Sequence, residues 1–173
     1  MKKVAVVFAN GTEEIEGITP VDVLRRAGVA CDIISVSGSE VKGSHGITVK
    51  ADKLSNELNM DDYDAIVIPG GMPGAVNIFN DKFVKTALLK ADKDKKLIAA
   101  ICASPAVVIA GRGLINGRKA TCYPAPDFIN ALGDCYTGES VQVDDNLITA
   151  NGPKSAMEFA LAICKALNVQ AKF

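Results

Sequence analysis

The chain is short of the groups that most often carry metal and stacking chemistry. It has one histidine, His45, and no tryptophan, and aromatic residues make up only 5% of its 173 residues. Its five cysteines form no C-x-x-C pair, so a zinc site of the usual Cys/His spacing is not expected. Neither sign of charge dominates: 19 Lys and Arg stand against 20 Asp and Glu. That balance provides no basic footprint for nucleic acid or an anionic membrane. No apolar stretch approaches the roughly 20 residues of a membrane span. The start, "MKKVAVVFANGTEE", has two lysines and an apolar run, but the run is too short for a signal-peptide core and no cleavage site follows. What remains is a soluble cytoplasmic protein with free thiols in a reducing compartment. Cys31, Cys122, Cys135 and Cys164 are then small buried hydrophobes by default.

What is present is a set of short, uninterrupted apolar runs. Lys3–Ala9, Ala30–Val36, Ala65–Pro69, Leu97–Ile101 and Leu147–Ala150 read as strands covered on both faces, as in a parallel sheet between helices. Helical patterns fall between them at Glu14–Ala27, Asp81–Asp92, Pro105–Gly111 and Ser155–Leu167, the last with Ser155 as its expected N-cap. "SGSEVKGSHGITVKAD" and "TGESVQVDDNLITANG" read as hairpins, the second turning at Asp144–Asn146. The order predicts a doubly wound α/β sandwich with a mostly parallel central sheet, as one domain over residues 1–173. Ligands of such sheets sit beyond the carboxyl ends of the strands. The chemistry is therefore expected in "NGTEE", "GGMPG", "CASP" and "NGPK".

Cys102 ends the run "LIAAIC", with Ala100, Ala103 and Ser104 around it and Pro105 next. Small flanks are what a sharp strand-to-helix turn needs to present a nucleophile, and proline suits the first turn of a helix. A thiol placed there is expected to have its pKa lowered by the helix dipole, with backbone amides near enough to hold an oxyanion. The alternative is a core cysteine, as Cys164 in "FALAICKAL" reads. Gly70, Gly71 and Gly74 follow the neighbouring strand; they permit a phosphate cradle, a plain tight turn, or an amide of Gly71 aimed at the sulfur. The dinucleotide pattern G-x-G-x-x-G is absent. Glu13, Glu14 and Glu16 open a helix, where acids are usually solvated. Pro20 cannot donate to the Glu16 carbonyl, so an irregular backbone is expected at Glu16. His45, in "KGSHGIT", reads as an exposed hairpin residue.

Four motifs, "EEIEGITPVDVLRRAG", "IVIPGGMPGA", "LIAAICASPAVVIA" and "NGPKSAMEFALAICKAL", together resemble the ThiJ/PfpI superfamily. They are most similar to the branch of the Parkinsonism-associated protein deglycase. The resemblance covers nearly the whole chain in order and spacing. It implies a flavodoxin-like fold, a homodimer, and no cofactor or metal. It implies that Cys102 is the nucleophile-elbow cysteine, that Glu16 is a buried, protonated partner of the sulfur, and that the backbone amides of Gly71 and Ala103 face it. Gly70, Tyr123, Gly152 and Pro153 would shape the pocket, and His45 stands where the family often has an arginine near the partner subunit's pocket. Animal members carry a histidine where "TCYP" has Tyr123, and the unperturbed tyrosine pKa of about 10 makes it a poor base at neutral pH. The peptidase-like branch has a histidine directly after the cysteine; Ala103 argues against that activity.

The resemblance thus implies a cysteine-dependent glyoxalase or deglycase acting on methylglyoxal, glyoxal or their early adducts on protein side chains. A redox sensor or redox-regulated chaperone, in which Cys102 becomes a sulfinate held by Glu16, is the alternative. A nucleotide-binding module using "GGMPG" is a third reading, weakened by the missing fingerprint.

Overall fold

The apolar runs fold into strands with side chains buried on both sides, because helices cover both faces of the sheet. The computed structural model describes every residue from Met1 to Phe173. In chain order, β1 (Lys3–Phe8) leads to α1 (Glu14–Arg26) and β2 (Ala30–Ser35). A two-stranded hairpin, β3 (Glu40–Lys42) and β4 (Thr48–Lys50), precedes the short β5 (Lys53–Leu54). Then come β6 (Ala65–Ile68), α2 (Gly74–Phe79), α3 (Lys82–Lys93) and β7 (Leu97–Ile101). After α4 (Pro126–Leu132), the hairpin of β8 (Val141–Asp144) and β9 (Leu147–Ala150) leads into α5 (Ala156–Ala166).

Seven strands form one sheet in the order β5-β2-β1-β6-β7-β9-β8. All neighbours are parallel except the edge strand β8, which runs antiparallel to β9. Alternation along β1 sends Val4, Val6 and Phe8 towards α1 and α5, and Ala5 and Val7 towards the face of α2, α3 and α4. This is the flavodoxin-like α/β architecture expected. The register sets Ile68 beside Ala100 and Ile101 beside Ala150. The segments leaving β6, β7 and β9 therefore meet at one end of the sheet.

Several local expectations are corrected. Pro105–Gly111 is not an α-helix: Pro105–Ile109 winds as a π-turn and Ala110–Arg112 as a 3₁₀ turn, ending at Gly113 with φ 69°. Consecutive β-branched residues, Val107 to Ile109, and a proline at its start weaken regular α winding there. Helix α1 runs through Pro20 without a break, so the backbone at Glu16 is ordinary helix. Glu16 points inward because it shares the buried stripe with Pro20 and Val23, four and seven residues on. Ser155 stands at the start of α5 but makes no capping bond; its hydroxyl lies 2.6 Å from Asn151 Oδ1 instead. Helices α2 and α4 and strand β5 were not anticipated, although α4 carries Pro126 in its first turn and Gly133 just past its end.

Candidate active site

Cys102 stands one residue beyond β7 with φ 64°, a left-handed conformation that costs a side-chain-bearing residue energy and persists only when its surroundings hold it. Here they do. Its N–H donates to the Ala150 carbonyl at 2.9 Å, and its own carbonyl accepts from the Tyr123 N–H at 2.8 Å. Ser104, fully buried, donates its hydroxyl to the Pro69 carbonyl at 2.6 Å, pinning the turn to the end of β6. The small residues flanking the cysteine are thus explained by a crowded turn between two strand ends.

Gly70 lies directly beneath the thiol. A Cβ there would stand 2.6 Å from Glu16 Oε2 and 2.7 Å from the Cys102 Cβ. Glycine lets its N–H reach Glu16 Oε2 at 2.9 Å, while its carbonyl accepts from the Glu13 N–H at 3.0 Å. Gly71, at φ 89°, turns its amide to the Cys102 sulfur, and the Ala103 amide meets it as well. The third option for the glycine loop, an amide aimed at sulfur, is the one the geometry adopts.

Glu16 is fully buried. Oε2 has the Gly70 amide, Oε1 has no hydrogen-bond partner, and the Cys102 thiol lies beside the carboxyl. Burial pushes the Glu16 pKa up to about 7, against the lowering effect of its bonds from Cys102 and Gly70. A carboxylic acid with a spare buried oxygen next to a sulfur is a proton donor in place. The expected depression of the Cys102 pKa is not found: burial and the adjacent Glu16 charge raise it, outweighing the amides of Ala103 and Gly71. The five-residue π-turn after it is too short to carry much dipole. The two groups titrate as a pair, and a protonated Glu16 reverses its effect on the sulfur, from repelling the thiolate to hydrogen-bonding it.

The remaining predicted residues divide into two places. Tyr123, about half exposed, lines a cleft of about 450 Å³ with Pro124, Asn151, Gly152, Pro153 and Lys154. It adjoins the elbow through the Tyr123 and Ala150 backbone bonds. His45 stands apart, its side chain 72% exposed on the β3–β4 turn and its Nδ1 3.0 Å from Glu14 Oε2. Sequence reasoning missed Glu13 and Glu14. Neither is a solvated first-turn acid: Glu13 Oε2 caps α1 by accepting from the Glu16 N–H at 2.9 Å, and Glu14 is 5% exposed. Glu14 Oε1 accepts the amides of His45 at 2.7 Å and Ile47 at 3.3 Å. Despite the cost of burial, these donors hold its pKa below the ordinary value. The cue was the glycine-rich turn "GSHG", whose free amides need an acceptor, but the acceptor lies 31 residues away. Of the other thiols, Cys31, Cys122 and Cys164 are buried, and burial raises their pKa values, to about 12 for Cys31 and about 11 for Cys122.

The DJ-1/PfpI family model matches residues 2–166. The Parkinson disease protein 7 homolog of Danio rerio is 38% identical over 170 residues, covering 96% of this chain and 89% of that protein. A protein named a deglycase from Pyrococcus horikoshii is 35% identical over 153 residues, covering 87% of this chain and 90% of that protein. Protein DJ-1 homolog B of Arabidopsis thaliana is 38% identical over 169 residues, which are 96% of this chain, but the chain spans only 38% of that longer relative. Among solved structures, oxidized DJ-1 of Toxoplasma gondii superposes with a TM-score of 0.92 at 42% identity, over 96% of this chain and 91% of that one.

Proposed function

The chain belongs to the DJ-1/PfpI family, and we propose that it is a cysteine-dependent enzyme of the glyoxalase and deglycase type. Its substrates are methylglyoxal, glyoxal or their early adducts on protein side chains, and it acts as a cytoplasmic homodimer. The observation that carries this reading is the buried Glu16 carboxyl, held by the Gly70 amide through Oε2 and lying beside the left-handed Cys102. The deglycase name of the Pyrococcus horikoshii relative supports an enzymatic reading.

The reaction on methylglyoxal balances without an outside oxidant. The Cys102 sulfur adds to the aldehyde carbon, forming the C–S bond, while the thiol proton passes through the Glu16 carboxylate to the carbonyl oxygen and gives a hemithioacetal. The developing oxyanion faces the Gly71 and Ala103 amides. Glu16 takes the proton from that carbon and returns one to the neighbouring carbon. The first carbon rises to the thioester level while the second falls from ketone to alcohol. Water then cleaves the C–S bond, releasing lactate and the thiol. A carboxyl titrating near neutrality suits such two-way transfer. Tyr123 is not needed as a base in this sequence of steps; it shapes the cleft beside the elbow, with Gly152 and Pro153.

The test is methylglyoxal consumption by metal-free protein without glutathione. Wild-type protein is expected to turn over and Cys102→Ser to lose at least about 100-fold. Full turnover by Cys102→Ser would refute the mechanism.

A second reading is favoured by one specific feature. The same two amides that face an oxyanion also suit the oxygens of a sulfinate, while three of the other four thiols are buried. As a redox sensor, the protein would be oxidised by mild peroxide at Cys102 alone, read by peptide mass spectrometry. Modification spread evenly over all five cysteines would count against it.

A further inference from the structure

A cluster separate from the thiol site joins the first turn of α1 to the β3–β4 turn. Glu13, Glu14 and His45 each place one ligating atom there, all within 4.8 Å of one another. His45 Nδ1 is 3.0 Å from Glu14 Oε2 and 3.7 Å from Glu13 Oε1. Ligand atoms around a four-coordinate ion with bonds of roughly 2.1 Å stand about 3.4 Å apart, so both spacings bracket that edge. Rotation of Glu13 closes the remaining gap without breaking its helix cap, which uses Oε2 only.

The two acids are nearly dry, with side chains 13% and 6% exposed. Neither has a lysine or arginine partner; His45 is their only ion-pair neighbour. A neutral imidazole has one N–H, and Nδ1 can serve only one of the two carboxylates. Glu13 Oε1 has no hydrogen bond and faces the ring. Even a protonated His45 leaves one negative charge uncompensated in a poorly solvated place. Glu14 is fixed from behind: Oε1 holds two hairpin amides, and Oε2 is left towards the ring, with the Ser44 hydroxyl 3.4 Å away. That is how outer contacts orient a ligating carboxylate.

The geometry points to a divalent-cation site in which Glu13 Oε1, Glu14 Oε2 and His45 Nδ1 bind a first-row transition ion of the zinc or cobalt kind, with water completing the shell. Two carboxylate oxygens and one imidazole nitrogen suit such borderline ions, whereas calcium would need more oxygens. The bound ion ties the hairpin to the helix. The site contains neither Cys102 nor Glu16, so it stands or falls independently of the proposed reaction.

The experiment is a Co²⁺ titration of the full chain without a histidine tag, read by visible absorption and thermal melting. Expected are one ion per chain, a visible d–d band with no thiolate charge-transfer band, and a higher Tm that depends on Co²⁺ concentration. His45→Ala, at an exposed position, is expected to lose more than the roughly 10–100-fold in affinity that a missing outer-shell partner costs. Glu13→Gln, which keeps a capping oxygen, is expected to weaken binding in the same way. Absence of binding, a thiolate band, or unchanged affinity in His45→Ala would each overturn the proposal.

Discussion

Cys102 and Glu16 share one buried space: a Glu16 carboxylate makes ionisation of the thiol harder, while the hydrogen bond from the thiol eases ionisation of Glu16. Glu16 has its pKa raised from 4.5 to about 7 mainly by burial. The folded protein therefore holds a proton there that the unfolded chain has released between those values. By linkage, the contribution of Glu16 to stability is full below pH 4.5 and is lost as pH rises through about 7, an amount of the order of 3 kcal/mol at about 1.4 kcal/mol per pKa step. Glu16→Gln keeps an oxygen for the Gly70 amide and removes the titration. It is expected to flatten this slope in urea denaturation between pH 5 and pH 8, while losing about 10²–10⁴-fold of any acid–base catalysis. Gly70→Ala is a steric counterpart: its methyl would press on Glu16 Oε2 and the Cys102 Cβ. A loss of about 1–3 kcal/mol is expected by the same denaturation assay. The small residues around Cys102 made the elbow readable from sequence. The inward aim of Glu16 was readable only through family resemblance, because Glu16 stands among the first-turn acids Glu13 and Glu14, which solvent would accept. Glu14 was not readable at all, since its partners come from a turn distant in sequence.

Helix α1 begins where Glu13 caps it and carries Glu16 three residues later, so the cap and the candidate proton donor are one piece of local structure. Glu13→Ala removes the acceptor for the Glu16 N–H and is expected to cost about 1 kcal/mol, measured by chemical denaturation. The β3–β4 hairpin depends on the same turn, because Glu14 satisfies the His45 and Ile47 amides. Glu14→Gln is expected to speed hydrogen exchange at those two amides and leave the sheet amides protected. The short apolar strands were legible in the sequence because burial on both faces leaves no polar alternation to confuse them. The turns around the site were less so. Pro20 was expected to disturb α1 and does not, since a buried helix face holds the winding against one missing hydrogen bond. The segment after Cys102 carried helical periodicity but folded as π and 3₁₀ turns, its proline and β-branched residues tipping the balance.

Across the whole molecule, the parallel order brings the ends of β6, β7 and β9 to one place, and that convergence makes a site from four sequence segments. The helices covering the sheet leave apolar side chains outward on one side. Ile15 and Ile18 of α1 and Met157 and Leu161 of α5 are exposed, and these two helices pack side by side. These side chains support the proposed homodimer. Light scattering is expected to give twice the 18.1 kDa chain mass, and Ile18→Glu with Leu161→Glu is expected to give the monomer. Assembly was implied by family resemblance alone, since an outward isoleucine in an amphipathic helix pattern reads the same whether it meets water or a partner.

Cys102 and Glu16 act in the proposed reaction as one titrating pair. The most direct measurement is the rate of Cys102 alkylation by iodoacetamide against pH, followed by mass spectrometry in wild-type protein and Glu16→Gln. The pair loses its first proton near pH 7, part of it from the sulfur, whose thiolate the still-protonated Glu16 hydrogen-bonds; the wild-type rate is therefore expected to rise there, and not in Glu16→Gln. The same profile in both proteins, rising only as an ordinary thiol does, would contradict it.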